Sequence, residues 1–257
     1  MAVKISVSLQ KGGSAKTTSA VNLASILQAK GNKVLLVDAD AQANATFYSG
    51  ISSKSLDNSF YNVLTTDKRY KCSAGDAVIE SEYYSIIPAD KDVSDLLQEL
   101  KLPTALKSAL APIEARYDYI IIDTPPALNM ITINAFTASD YIILPTEPRP
   151  FNFTGMVDIE DTIAEVRQRW NPSLRVAGIL LVKHHTRTRV NKALQKLIED
   201  YSGRLHTQCF RSTIREGVAV PESQLAQKPL INYAPSAKLT LDYVHFVDEL
   251  IERIGDR

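Results

Sequence analysis

The stretch LQKGGSAKTTSAVNLA, residues 9–24, decides how the rest of the chain is read. It follows the apolar run VKISVSL (3–9) and opens a helical pattern that ends before Gly31, a good terminating residue. Strand, glycine turn and helix are the setting in which backbone N–H groups and the helix dipole surround phosphate. The general loop G-x-x-x-x-G-K-[ST] is nevertheless not met, because Gln10 and Ala15 stand where it has glycine. Lys11 is an additional lysine that the general pattern does not include. Within this setting Lys16 would neutralise β- and γ-phosphate charge and the Thr17 hydroxyl would ligate Mg²⁺. A methyl at position 15 costs on the order of 1 kcal/mol if φ must be positive. It is harmless if the residue already lies in the right-handed helical region, and the intact KTT after it favours that second case.

Outward from the loop, short β-branched runs alternate with helical stretches. The runs lie at 3–9, 33–38, 84–89, 117–123, 140–146 and 175–182, and amphipathic segments near 17–30, 92–101, 104–116, 154–169, 187–201 and 239–254. Continuous apolar strands separated by helices predict a doubly wound α/β fold, its sheet mostly parallel and covered on both faces. Ligands then belong at the carboxyl ends of the strands. KVLLVD delivers Asp38 there, with Asp40 two residues on, and YDYIIID delivers Asp123. Such aspartates hold Mg²⁺ against phosphates, commonly through water; each alone could equally cap the next helix. Three of them beside a lysine-glycine loop are hard to explain by capping. Residues 45–80 read as loop with short helices.

The 257 residues, 45% hydrophobic, are enough for one large domain spanning 1–257, with no linker-like tract or internal repeat. Basic and acidic residues number 29 each, so attraction to nucleic acid or anionic lipid must come from local clusters. Cys72 and Cys209 match no metal or redox spacing, which suits a reduced, cytoplasmic setting. No segment approaches the length of apolar chain that a membrane span needs.

The motifs together resemble a family. KGGSAKTT resembles the deviant Walker A loop KGGxGKT[TS] of the ParA/MinD superfamily, VDADAQAN its second motif and YIIIDTPP its Walker B. The resemblance is nearest to the Soj-like ParA partition ATPases. It continues through ILPTEPRPFNFTGM, GILLVKHHTRTR and KPLINYAPSAK, covering roughly residues 3–250. It implies a slow ATPase using ATP and Mg²⁺, with the P-loop formed by Gly12, Gly13, Ser14, Ala15, Lys16, Thr17 and Thr18. Lys11 would reach across a nucleotide-sandwich homodimer to the partner's phosphates, supplying in trans what an arginine finger supplies elsewhere. Gly12 would mark close subunit approach, Asp40 would orient the attacking water, and Asp38 and Asp123 would organise Mg²⁺ with Thr17. A ParB-like partner would stimulate hydrolysis.

What the dimer holds is read from charge. Lys183, Arg187, Arg189, Lys192 and Lys196 fall in a run without acidic residues, and Lys192 and Lys196 are one helical turn apart. Doubled by two-fold symmetry, the patch could touch about ten phosphates of nonspecific double-stranded DNA. The resemblance adds Arg211 and Arg215 as a second contact, while Ala219 stands where relatives often carry arginine. A solvated basic face is the alternative. The competing class is a MinD-like membrane ATPase ending in a basic amphipathic helix. Here the last helix opposes its stripe of Tyr243, Val244, Val247, Leu250, Ile251 and Ile254 with Asp242, Asp248, Glu249 and Glu252, so packing on the sheet is expected and no membrane contact. Cysteines placed for an intersubunit cluster and a terminal tyrosine cluster are lacking, which argues against a nitrogenase-type iron protein and a bacterial tyrosine kinase. With no basic extension before residue 3, operator-specific repression is not expected.

Overall fold

The protein is described by a computed structural model covering residues 1–11, 13–149, 152–184 and 189–255, without the side chains of 152–155 and 189–192. Eight strands, β1 (Val3–Val7), β2 (Val34–Asp38), β3 (Ile79–Glu80), β4 (Ser85–Ile87), β5 (Tyr119–Asp123), β6 (Tyr141–Thr146), β7 (Arg175–Leu181) and β8 (Cys209–Thr213), form one sheet. Their order is β3-β4-β2-β5-β1-β6-β7-β8, and only the β3–β4 pair is antiparallel. The eleven described helices are α1 (Lys16–Ala29), α2 (Asn44–Tyr48), α3 (Phe60–Leu64), α4 (Leu96–Glu99), α5 (Ala105–Leu110), α6 (Met130–Ala138), α7 (Asn152–Arg169), α8 (Arg189–Ser202), α9 (Ala219–Leu225), α10 (Leu230–Tyr233) and α11 (Lys238–Gly255).

The doubly wound expectation holds, and its cause is visible along β5. Ile121 enters the core shared with α1 and α11, while Ile120 and Ile122 enter the opposite core, shared with α5 and α6. Successive strand side chains alternate faces, so a strand covered on both sides must be apolar throughout. Each fully buried isoleucine of this kind contributes about 1.5–3 kcal/mol. The third core lies under β6, β7, α7 and α8.

Several boundaries differ from the sequence expectation. The segment 92–101 becomes a tight turn at Lys91–Asp95 followed by α4, and 104–116 becomes α5 and a tight turn at Glu114–Arg116. β8 and α6 had not been anticipated. β8 has one fully apolar residue, Phe210, in CFRST, and α6 buries most of its circumference, so neither shows a periodic stripe. The segment 45–80 is loop with the short helices α2 and α3, as expected.

α11 packs on β8, β7 and α1, burying Tyr243, Phe246, Val247, Leu250 and Ile254. Glu249 is buried on this helix and accepts the backbone N–H groups of Arg211 and Ser212, at 2.8 and 2.9 Å, on the edge strand β8. Arg253 ties the same carboxylate to the Ala177 carbonyl and lies over the Phe210 ring. Among the described residues no helix is long and apolar enough to cross a membrane.

Candidate functional site

β1 lies between β5 and β6, so the chain leaves the sheet at the point where the winding reverses and a crevice opens. Here the loop after β1 turns into α1. Gly13 has φ 75° and Ala15 φ 59°, ψ 25°, both left-handed. The expectation of a right-handed Ala15 is therefore incorrect. The residue is the N-cap of α1 and must reverse the chain direction before the helix begins, a conformation that strains any side chain bearing Cβ. Ala15 gives α1 no side-chain cap, which leaves first-turn N–H groups for an anion.

The loop's lysines and hydroxyls are organised around a carbonyl. Lys16 Nζ donates to Lys11 O at 2.9 Å, and Ser14 Oγ donates to the same oxygen at 3.1 Å. Burial lowers the Lys16 pKa, and the charges of Asp123 and Asp40 oppose that shift. Thr17 and Thr18 follow on the first turn; the Thr18 hydroxyl accepts from Gln224 Nε2 at 3.2 Å, joining α1 to α9. Gly12 lies outside the described residues.

Asp38 and Asp123 end adjacent strands in register. Asp38 is fully buried; its Oδ2 accepts from Thr46 N and Thr46 Oγ1, both at 2.8 Å, and Oδ1 accepts from Asp40 N at 3.2 Å. Burial raises its pKa to about 6, against the lowering effect of these hydrogen bonds. Asp123 is also fully buried, and among the described residues neither of its oxygens has a hydrogen-bond partner. Burial, then the Asp38 charge, raise its pKa well above the ordinary carboxylate range; the nearby Thr17 hydroxyl and Lys16 ammonium offset only part of this. Ser8 Oγ and Gln10 Oε1, just past β1, are buried acceptors in the same condition. Asp40 is half-exposed and accepts from Gln42 N at 3.0 Å.

Gly13 to Thr18 and Asp40 line one side of a cavity of about 1190 Å³, which runs from the loop past Phe47 and Tyr48. Its other side is Val182, Lys183 and the strip from Ile214 to Leu225. That second wall was not found from the sequence; the only signal was Gly217 and Pro221 punctuating EGVAVPE. An unpartnered buried carboxylate beside a threonine hydroxyl fits an octahedral dication that keeps waters and phosphate oxygens as ligands. The described residues contain no group of three His, Cys, Asp or Glu able to hold a metal by themselves.

Four of the expected DNA-contacting residues have described side chains, Lys183, Lys196, Arg211 and Arg215. Lys183 does not face outward alone: its Nζ donates to Gly13 O at 3.0 Å. Lys196 is exposed on α8. Arg211 Nη2 reaches Glu252 at 3.3 Å, and Arg215 is held in a two-pronged pair by Asp242 at 2.6 and 2.8 Å. Arg187 lies outside the described residues, as do the side chains of Arg189 and Lys192.

The strand order, the uncapped helix behind a lysine-rich loop and the two strand-end aspartates define a P-loop nucleoside-triphosphatase of the deviant Walker A kind. A family profile described as an AAA domain matches residues 2–176. The chromosome partitioning protein ParA of Caulobacter vibrioides is 32% identical over 98% of this chain and 95% of its own length. The sporulation initiation inhibitor protein Soj of Bacillus subtilis is 32% identical over 96% of this chain and 97% of its own. A Mycobacterium smegmatis structure described as cobyrinic acid a,c-diamide synthase with bound ATP analogue and magnesium superposes with a TM-score of 0.84, at 27% identity, covering all of this chain and 96% of that one. The chain belongs to the ParA/Soj family of P-loop ATPases.

Proposed function

We propose that this chain, acting as a single ATPase domain, is a nucleotide-switched partition protein that hydrolyses ATP slowly and grips DNA only as an ATP-bound homodimer. The observation that carries the reading is Asp123, a buried carboxylate near Lys16 and Thr17 that has no hydrogen-bond partner among the described residues. Such a group is costly unless a ligand completes it. ATP with Mg²⁺ is the ligand class whose charges match, Mg²⁺ supplying positive charge against the β- and γ-phosphates. Thr17 would ligate it, and Asp38 and Asp123 would accept hydrogen bonds from its waters.

Phosphate would draw Lys16 from the Lys11 carbonyl, and the open N–H groups of Gly13 to Thr18 would surround the oxygens. Asp40 would accept a hydrogen bond from the attacking water, orienting it toward the γ-phosphorus. Lys11 would complete the partner's site, so that ATP occupancy and pairing favour each other through differential affinity. Arg187, Arg189, Lys192 and Lys196, with Arg211 and Arg215 released from their acidic partners, would hold nonspecific double-stranded DNA. A ParB-like protein would stimulate hydrolysis and free the subunits. The protein would be cytoplasmic and nucleoid-associated when ATP-bound. A MinD-like membrane role is less well supported, since the apolar stripe of α11 is buried in the core rather than available to lipid.

The test is DNA retention with ATP, ADP and no nucleotide at several salt concentrations, beside liposome flotation. Retention should require ATP and fall steeply with salt. ATP-dependent flotation without DNA retention would reject partition for the membrane class. In the same assays Lys11→Ala should bind nucleotide but neither pair nor hydrolyse; parental pairing and hydrolysis would remove the role in trans.

A further inference from the structure

Two lysines sit on two carbonyl oxygens of the phosphate loop, and they differ in what a ligand would do to them. Lys16, on Lys11 O, belongs to the loop itself and has to swing away when phosphate arrives. Lys183 comes from the opposite wall of the cavity, just past β7, and its Nζ meets Gly13 O at 3.0 Å. Its backbone is left-handed, φ 49°, which is uncommon for lysine and persists where the surroundings over-determine it. They do so here: Val182 N donates to Thr146 O and His184 N to Ile214 O, each at 3.0 Å, fixing the chain on both sides.

Gly13 O and the Ser14 N–H belong to one peptide plane and point in opposite directions. Gly13 has positive φ, and among the described residues nothing lies within 4 Å of the place a Cβ would take, so no side chain of its own holds this plane in one orientation. Turned over, it would aim an oxygen rather than an N–H at the phosphates, and an anion-binding nest works only with its donors inward.

We propose that Lys183 is a positioning residue of the nucleotide site, which pins the Gly13 carbonyl outward so that the Ser14 N–H is held toward the phosphates. The inference rests on the nucleotide-binding reading above, and it moves Lys183 from the DNA patch to the phosphate loop. Since the cation acts on the loop rather than on a DNA phosphate, its removal weakens nucleotide binding before any DNA is present.

Lys183→Met keeps the length of the side chain and removes the donor, and binding of ADP and of a non-hydrolysable ATP analogue, each with Mg²⁺, is measured by calorimetry without DNA. Losing a charged hydrogen bond should weaken affinity on the order of tenfold for both nucleotides. Lys183→Arg, which can still donate to the carbonyl, should restore most of it. Lys183→Gly relaxes the left-handed backbone and so keeps the fold, and it should bind as weakly as Lys183→Met. Unchanged nucleotide affinity in Lys183→Met and Lys183→Gly, with DNA retention reduced and its salt slope lowered by about one, would overturn the proposal and return Lys183 to the DNA surface. Lys16→Ala serves as the separate control. If the parent binds no nucleotide, the nucleotide reading fails; if the parent binds and only Lys16→Ala is impaired, the role of Lys183 alone fails.

Discussion

Replacing Asp123 by asparagine should stabilise the nucleotide-free protein while impairing its use of Mg²⁺-nucleotide. The carboxylate is fully buried, has no hydrogen-bond partner among the described residues and lies beside the second buried carboxylate, Asp38. Its pKa is raised by burial and then by Asp38, so between about pH 4 and that raised value the folded chain binds more protons than the unfolded one. Stability contributed by the protonated form is thus lost as pH rises through the window. Removing an unsatisfied buried charge is worth about 2 kcal/mol. At about 2.1 cal/mol/K per residue, the 257-residue chain unfolds with an entropy near 540 cal/mol/K, so the midpoint should rise by about 4 °C at a pH above the raised value and by less at one below it. Scanning calorimetry of both proteins at the two pH values measures this. Adding Mg²⁺ and a non-hydrolysable ATP analogue at 100 times the dissociation constant should stabilise the parent by about 2.7 kcal/mol, or about 5 °C, and the variant by clearly less. A variant no more stable than its parent at high pH, with the same pH slope, would refute the view that Asp123 is an uncompensated charge awaiting a ligand.

Ala15→Gly should relieve a left-handed backbone at φ 59°. The relief of about 1–2 kcal/mol exceeds the extra unfolded-state entropy of glycine, about 0.4–1 kcal/mol, so thermal unfolding should move up by about 1–2 °C, and a downward shift would contradict the strain. Thr46→Val should remove a hydroxyl that donates to Asp38 Oδ2 and accepts from Ala89 N, both at 2.8 Å. With the Ala89 N–H left unmet and Asp38 Oδ2 keeping only the Thr46 N–H, urea titration should show a loss of about 2–4 kcal/mol, and a loss under 1 kcal/mol would mean the hydroxyl matters little.

The sheet was legible because its inner strands are covered on both faces and therefore written as unbroken apolar runs ending in Asp38 and Asp123. β8 was not, because an edge strand with one covered face tolerates Arg211, Ser212 and Thr213. The phosphate loop was legible from its lysines and glycines, yet the handedness of Ala15 was not. Propensity argues for a right-handed alanine before a helix, whereas the turn out of β1 requires the left-handed region. The second wall of the cavity escaped because its residues, Ile214 to Leu225, come from a connection whose chemistry is mostly backbone and aliphatic contact. Lys183 was read by its charge in the sequence, while its partner lies 170 residues away on the loop.

Both margins of the sheet offer little to a visiting strand. On one side β3 offers only two residues, running against its neighbour. On the other, the Glu249 carboxylate already occupies consecutive amides of β8. Both features make addition of a ninth strand less favourable, which counts against edge-to-edge stacking of the kind that leads to fibres.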